Sequence, residues 1–168
     1  MNYVDAAFAP LRKTGQIKLY GPEAFAGMRK AGQLVAECLD LLADVVKPGR
    51  TTGDIGAAIQ SFVEPQHMSV VRDFCGHGLG RLFHDEPNIV HIGTPGEGAV
   101  LKPGMFFTVE PMINLGRPHV KVLADGWTAV TRDRSLSAQF EHMVGVTEDG
   151  VEVFTFSPAG LHKPPYSA

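Results

Sequence analysis

The chain has 168 residues, 44% of them hydrophobic, which is enough to bury one sizeable core. Its 15 basic and 18 acidic side chains leave a net charge of -3 without a long run of either sign, so composition offers neither a nucleic-acid stripe nor a membrane-surface helix. There is no basic-then-apolar leader and no run near the ~18 apolar residues of a membrane span, and two cysteines, Cys38 and Cys75, make neither a disulfide framework nor a zinc cluster; a cytoplasmic protein with free thiols is expected.

Residues 1–20 mix Ala, Pro, Gly and basic side chains without a period, as an extended arm does. Gly21-Pro22-Glu23 then opens a helix, because Pro22 suits a first turn and Glu23 complements the positive end of the helix dipole. Met28, Ala31, Leu34, Val35, Cys38, Leu41, Leu42 and Val45 recur as one apolar stripe, which Lys47-Pro48-Gly49 ends. A second helix begins at Thr51, where Asp54 completes a capping box. Ile55, Ala58, Ile59 and Phe62 form its stripe, and Pro65 stops it.

After Pro65 the period drops to two, and short β-branched or aromatic runs alternate with turn signals. Strands are expected at Ser69–Phe74, Met105–Glu110, His119–Leu123, Trp127–Thr131, Gln139–Val146 and Val151–Phe156. Asp125-Gly126 and Asp149-Gly150 are hairpin turn pairs, so the last four strands are expected to form two antiparallel hairpins. Two helices followed by strands is the α+β pattern, with the helices packed on one face of a mainly antiparallel sheet. The chain divides into an arm (1–20), one folding unit (21–158) and a loose tail (159–168).

Chemistry concentrates in Phe74-Cys75-Gly76-His77-Gly78-Leu79-Gly80 and Phe83-His84-Asp85-Glu86-Pro87. Glycines on both sides of His77 let the backbone pass close to a neighbour and leave the imidazole as the one functional group, a candidate ligand. The alternative is a Gly-rich bend whose histidine bonds a nearby carbonyl. Glu110 ends an apolar run from Met105, and Glu141 sits within another, Gln139–Val144. A carboxylate in such a setting needs a partner, since an unpaired buried charge costs several kcal/mol or more. By alternation Glu141 shares a face with Gln139 and Met143 while His142 points away with Phe140 and Val144, so Glu141 is the better candidate. For each glutamate the competing partner is an arginine such as Arg72, Arg81 or Arg132. One histidine with two glutamates suits Mn, Fe, Co or Zn.

These motifs, with Lys102-Pro103-Gly104-Met105, Val109-Glu110-Pro111-Met112, Asp125-Gly126-Trp127-Thr128 and Asp133–His142, stand in the order and spacing of type I methionine aminopeptidases, which the chain resembles from Ile55 to about Pro158 and again from about Leu19 to Gly53. The resemblance implies half of a pita-bread fold and removal of N-terminal methionine from nascent proteins. It matches His77, Glu110 and Glu141 to metal ligands, Glu110 also to the proton-transfer carboxylate, and His84 to the group contacting the scissile carbonyl. Phe83 and Trp127 match walls of the methionine pocket. Prolidase-like metallopeptidases share the histidine and glutamates but fit Trp127 and Asp133–His142 less well.

The departure from that family is as specific as the match. Its two aspartate ligands and a further active-site histidine lie on strands between its second and third helices, and no such strand motif is present. The family's first helix is joined near residues 46–55 to its C-terminal, metal-binding half, as an in-frame deletion between the two repeats would leave it. Weak metal binding and little or no turnover by a monomer follow as expectations. So does a homodimer that covers the face left open. The reading from a different class is a non-catalytic relic that binds peptides or a protein partner.

Overall fold

The computed structural model describes residues 2–10, 12 and 14–158. The expected tail lies outside them. Strands β1 (Tyr3–Asp5) and β2 (Ile17–Leu19) pair in parallel, so the arm is looped back on itself rather than extended throughout. Helix α1 spans Pro22–Asp40, with Pro22 in its first turn as expected, and buries Ala31, Leu34, Val35, Cys38 and Leu39. The single helix expected to Val45 is interrupted at Leu41, and α2 (Leu42–Val45) continues it. The stripe survives the break, with Leu42 and Val46 fully in the core, whereas Met28 at its start is exposed. Helix α3 (Thr52–Val63) carries the capping box as read: the Thr51 hydroxyl accepts from the Asp54 N–H, and the Asp54 carboxylate accepts from the Thr51 N–H at 2.7 Å. A 3₁₀ turn, Glu64–Gln66, follows it.

The remaining strands are β3 (Ser69–Val70), β4 (Cys75–Gly78), β5 (Asp85–Val90), β6 (Phe106–Val109), β7 (Met112–Asn114), β8 (Val120–Val122), β9 (Ala129–Thr131), β10 (Ser137–Gln139), β11 (His142–Val146) and β12 (Val151–Val153). Five form one antiparallel sheet in the order β12-β11-β6-β4-β5, and three form a second in the order β10-β7-β3. Helix α1 packs on β7 and β10, and α3 on β3 and β5. Phe107, Val109, Ile113, Val144 and Ile89 meet the helical stripes to make one core. Both expected hairpins form, β8–β9 about Asp125-Gly126 and β11–β12 about Asp149-Gly150.

Four strand expectations change. The strand expected over Ser69–Phe74 is only two residues long. The Gly-His-Gly segment, readable as a bend, is instead β4, in the interior of the five-stranded sheet. Its glycines serve packing: a Cβ on Gly76 would collide with the Thr108 carbonyl of β6, and one on Gly78 with the Glu86 carbonyl of β5. Strand β5, which carries Pro87, is not among the expected strands; it lies at the sheet edge, and Pro87 falls where its register with β4 shifts between the Gly78–Asp85 and His77–Asn88 pairs, so its missing N–H breaks no rung. The strand expected over Gln139–Val146 is cut at Phe140-Glu141, because its first part pairs with β7 and its second with β6.

Candidate metal and substrate site

The register of β6 with β11 ends at Val109 opposite His142. One step beyond the last pair stand Glu110 and Glu141, which line one cavity. On the other side of β6, β4 pairs at Gly78 with Phe107, which brings His77 level with Thr108. Three consecutive strands of one sheet thus carry the three candidate ligands to one end of the sheet.

His77 and Glu110 are in contact, with Nε2 3.6 Å from Oε1 and both side chains largely buried. Thr108 ties them together, its hydroxyl accepting from the His77 N–H at 3.0 Å and donating to Glu110 Oε1 at 2.8 Å. Burial pushes the Glu110 carboxyl above its ordinary value, against the Thr108 hydrogen bond, and the nearby Glu141 charge pushes the same way. The His77 ring also meets the Gly78 carbonyl through Nδ1 at 3.0 Å, so the bend-type hydrogen bond is present together with the carboxylate contact. Neither glutamate is matched by arginine: among the described residues the ion pair recorded is His77–Glu110. Glu141 is exposed rather than buried, and its Oε2 accepts from Gln139 at 3.1 Å. The alternation holds, since Glu141 and Met143 line one cavity while His142 packs against Phe140.

His84, on the loop between β4 and β5, lies edge-on to His77 with ring centroids 4.2 Å apart, and Phe83 meets His84 edge-on in turn at 4.7 Å. Two open cavities share His77, His84 and Glu110. The larger, 890 Å³, extends to Trp127, Met112 and Cys75; the smaller, 520 Å³, extends to Phe83, Glu141 and Met143. Trp127 is held by its turn, where Asp125 accepts from the N–H groups of Trp127 and Thr128. All six candidate residues therefore border one continuous cleft, with Trp127 and Phe83 at opposite ends.

Two residues of this arrangement were missed in the sequence. Thr108 is an apolar-run threonine with no local signal for its bridging role. His91, just past β5 and 2% exposed, accepts the Glu110 N–H at Nε2 over 3.1 Å, and burial pushes its pKa down to about 4, leaving a neutral imidazole.

As a metal site the donors fit in chemistry and partly in position. An imidazole and a carboxylate stand in contact and a second carboxylate shares their cavity, yet among the described residues no three His, Cys, Asp or Glu side chains are drawn up to ligating separation. Residues 16–148 match the model of metallopeptidase family M24. The chain belongs to that family. Within M24 it is 60% identical to a methionine aminopeptidase of Rickettsia prowazekii over 125 residues, 73% of this chain and 48% of that protein. It is 53% identical to the methionine aminopeptidase of Escherichia coli K12 over 119 residues, 71% of this chain and 45% of that one. The crystal structure of the Rickettsia prowazekii enzyme superposes with a TM-score of 0.75 at 48% identity, covering 84% of this chain and 56% of the other. The chain thus spans about half the length of the relatives it matches, as an α+β fragment of the M24 pita-bread fold. No helix among the described residues is long and apolar enough to cross a membrane.

Proposed function

We propose that this chain is a methionine aminopeptidase-like metallopeptidase acting on the N-terminal methionine of peptides and nascent chains in the cytoplasm, with weak metal binding and slow turnover as a monomer. The observation that carries the reading is the convergence of His77, His84, Glu110 and Glu141 on one cleft bordered by Phe83 and Trp127. His77, Glu110 and Glu141 would hold a divalent metal (Co, Mn, Fe or Zn), which supplies Lewis-acid chemistry and lowers the pKa of a water. Glu110, with its carboxyl pushed up by burial, is suited to take up and return a proton. His84 would donate to the scissile carbonyl oxygen. Phe83 and Trp127 offer apolar surface to the methionine side chain.

The weak binding follows from the donor count. Loss of an outer-shell partner alone costs roughly 10 to 100-fold in metal affinity, and the family's two aspartate ligands have no counterpart here. Slow turnover follows because holding reactants in place supplies roughly 7 to 11 kcal/mol of a barrier, and one wall of the family cleft is absent. A second copy packed about a two-fold axis would cover the open face and bring a second His77, Glu110 and Glu141 toward the first set.

The non-catalytic reading is favoured by one observation, the exposed Glu141 held by Gln139 away from ligating separation. Calorimetric titration with Mn or Co, with methionine release from a methionyl peptide assayed on the same preparation, separates the two. Micromolar or weaker binding with slow release that Glu110→Gln abolishes is the expected result. Absence of both binding and release would leave the peptide-binding relic, and release from a Xaa-Pro peptide alone would point to prolidase-like chemistry.

A further inference from the structure

The ladder between β4 and β6 opens toward the site. It is a backbone pairing at Gly78–Phe107, but at the next step the His77 N–H goes to the Thr108 side chain rather than to main chain. One step beyond the end of β6, the Glu110 N–H has lost β4 altogether. Strands β5 and β6 each run antiparallel to β4, so they are parallel to one another and end at the same side of the sheet, where β4 begins. His91, the first residue after β5, reaches across that gap and takes the Glu110 N–H on Nε2. A half-buried N–H without an acceptor costs about 1–3 kcal/mol, and the imidazole replaces the missing rung.

We infer that His91 is a positioning residue: its neutral imidazole fixes the main chain at Glu110, and with Thr108 on the carboxylate it sets the direction in which Glu110 faces His77 and the cleft. Glu110 is thereby held at both ends, by His91 at its N–H and by Thr108 at Oε1. An acceptor at Nε2 requires the proton on Nδ1, which makes this role specific to one tautomer of a buried ring. Leucine fills similar space without an acceptor; glutamine offers a carbonyl oxygen near the position of Nε2.

The assignment of Glu110 as the working carboxylate rests on the proposed function, but the hydrogen bond does not, so the test separates them. In the wild-type chain, NMR should show His91 neutral with the proton on Nδ1 and a through-hydrogen-bond coupling between the Glu110 amide nitrogen and His91 Nε2. In His91→Leu, exchange of the Glu110 amide should accelerate at least 10-fold relative to neighbouring core amides, and Mn affinity should fall roughly 10 to 100-fold, the range seen for outer-shell partners. His91→Gln should restore both. Absence of the coupling, or an Nε2-protonated ring, overturns the inference even if no variant folds. So does unchanged Glu110 exchange in a folded His91→Leu chain, or an equal loss in His91→Gln. If the wild type binds no Mn, the metal reading fails while the coupling and exchange still decide the role of His91.

Discussion

At the scale of single residues, the site depends on hydrogen bonds made by groups that touch no substrate. Thr108→Val keeps shape but removes the acceptor for the His77 N–H and the donor to Glu110. It is expected to cost about 1–3 kcal/mol in urea unfolding and to weaken metal binding, whereas Thr108→Ser should retain most of both. Asp133 performs the same service away from the cleft, accepting from the Arg117 N–H at 2.7 Å and from the Ser135 hydroxyl and N–H. These bonds hold its carboxyl below the ordinary aspartate value of 3.8. A carboxyl depressed in the folded state binds fewer protons folded than unfolded. Its contribution is therefore present above that ordinary value and lost as pH falls through the folded one. Asp133→Asn should lower stability at neutral pH, with its deficit shrinking toward zero as unfolding is followed down through pH 3.8 and below.

At the scale of elements, β4 is positioned by glycine. Gly76 lies against the Thr108 carbonyl, rigid backbone that cannot give way as a side-chain end would. Gly76→Ala is expected to push β4 from β6, destabilising the chain by roughly the 1–3 kcal/mol of an overpacked core and separating His77 from Glu110; a chemical-shift change at both residues, seen against a thermal melt, checks it. Helix α3 depends on its cap in a more ordinary way. Thr51 is buried and closes the box with Asp54, so Thr51→Ala should cost about 1 kcal/mol, read as a drop of roughly 2–4 °C in Tm for a chain of this size. Any effect on the metal site should pass through β5, on which α3 packs and which leads into His91.

At the scale of the molecule, the helices cover one side of the sheet and the cleft side stays open. Phe83 and Trp127 are 83% and 87% exposed there, and Phe106 and Phe154, in edge contact with centroids 5.4 Å apart, are partly exposed on the sheet. Large apolar side chains exposed in such number on one face suit an interface. Five acidic side chains, Asp73, Asp85, Glu86, Glu110 and Glu141, border the same cleft against one arginine, Arg81, so two copies meeting there carry an acidic excess that a cation would relieve. The expected outcome is a divalent-metal-dependent dimer: light scattering at micromolar chain should give twice 18.1 kDa with Mn present and the monomer mass after chelation. A monomer under both conditions, with no dye-detectable apolar surface, would exclude it.

What the sequence determined by itself was whatever rests on neighbours along the chain. The middle of the α1 stripe, Ala31 to Cys38, the Thr51–Asp54 capping box and the Asp125-Gly126 and Asp149-Gly150 turns are set by spacings of a few residues and stand as expected, whereas the stripe's start at Met28 is exposed and its helix breaks at Leu41. The motifs carrying the family resemblance are legible too, because they are short, and six of their residues, His77, Phe83, His84, Glu110, Trp127 and Glu141, border the cleft. Only the tertiary structure decided that the glycine-flanked histidine lies on an interior strand, that the Gln139–Val146 run divides between two sheets, and that Glu141 is exposed. Strand pairing and burial join residues far apart in sequence, and no local period encodes which strand lies beside which. His91 shows the limit most plainly: a single histidine just after a strand carries no pattern, and its partner Glu110 is reached only because β5 and β6, on either side of β4, stop at the same end of the sheet.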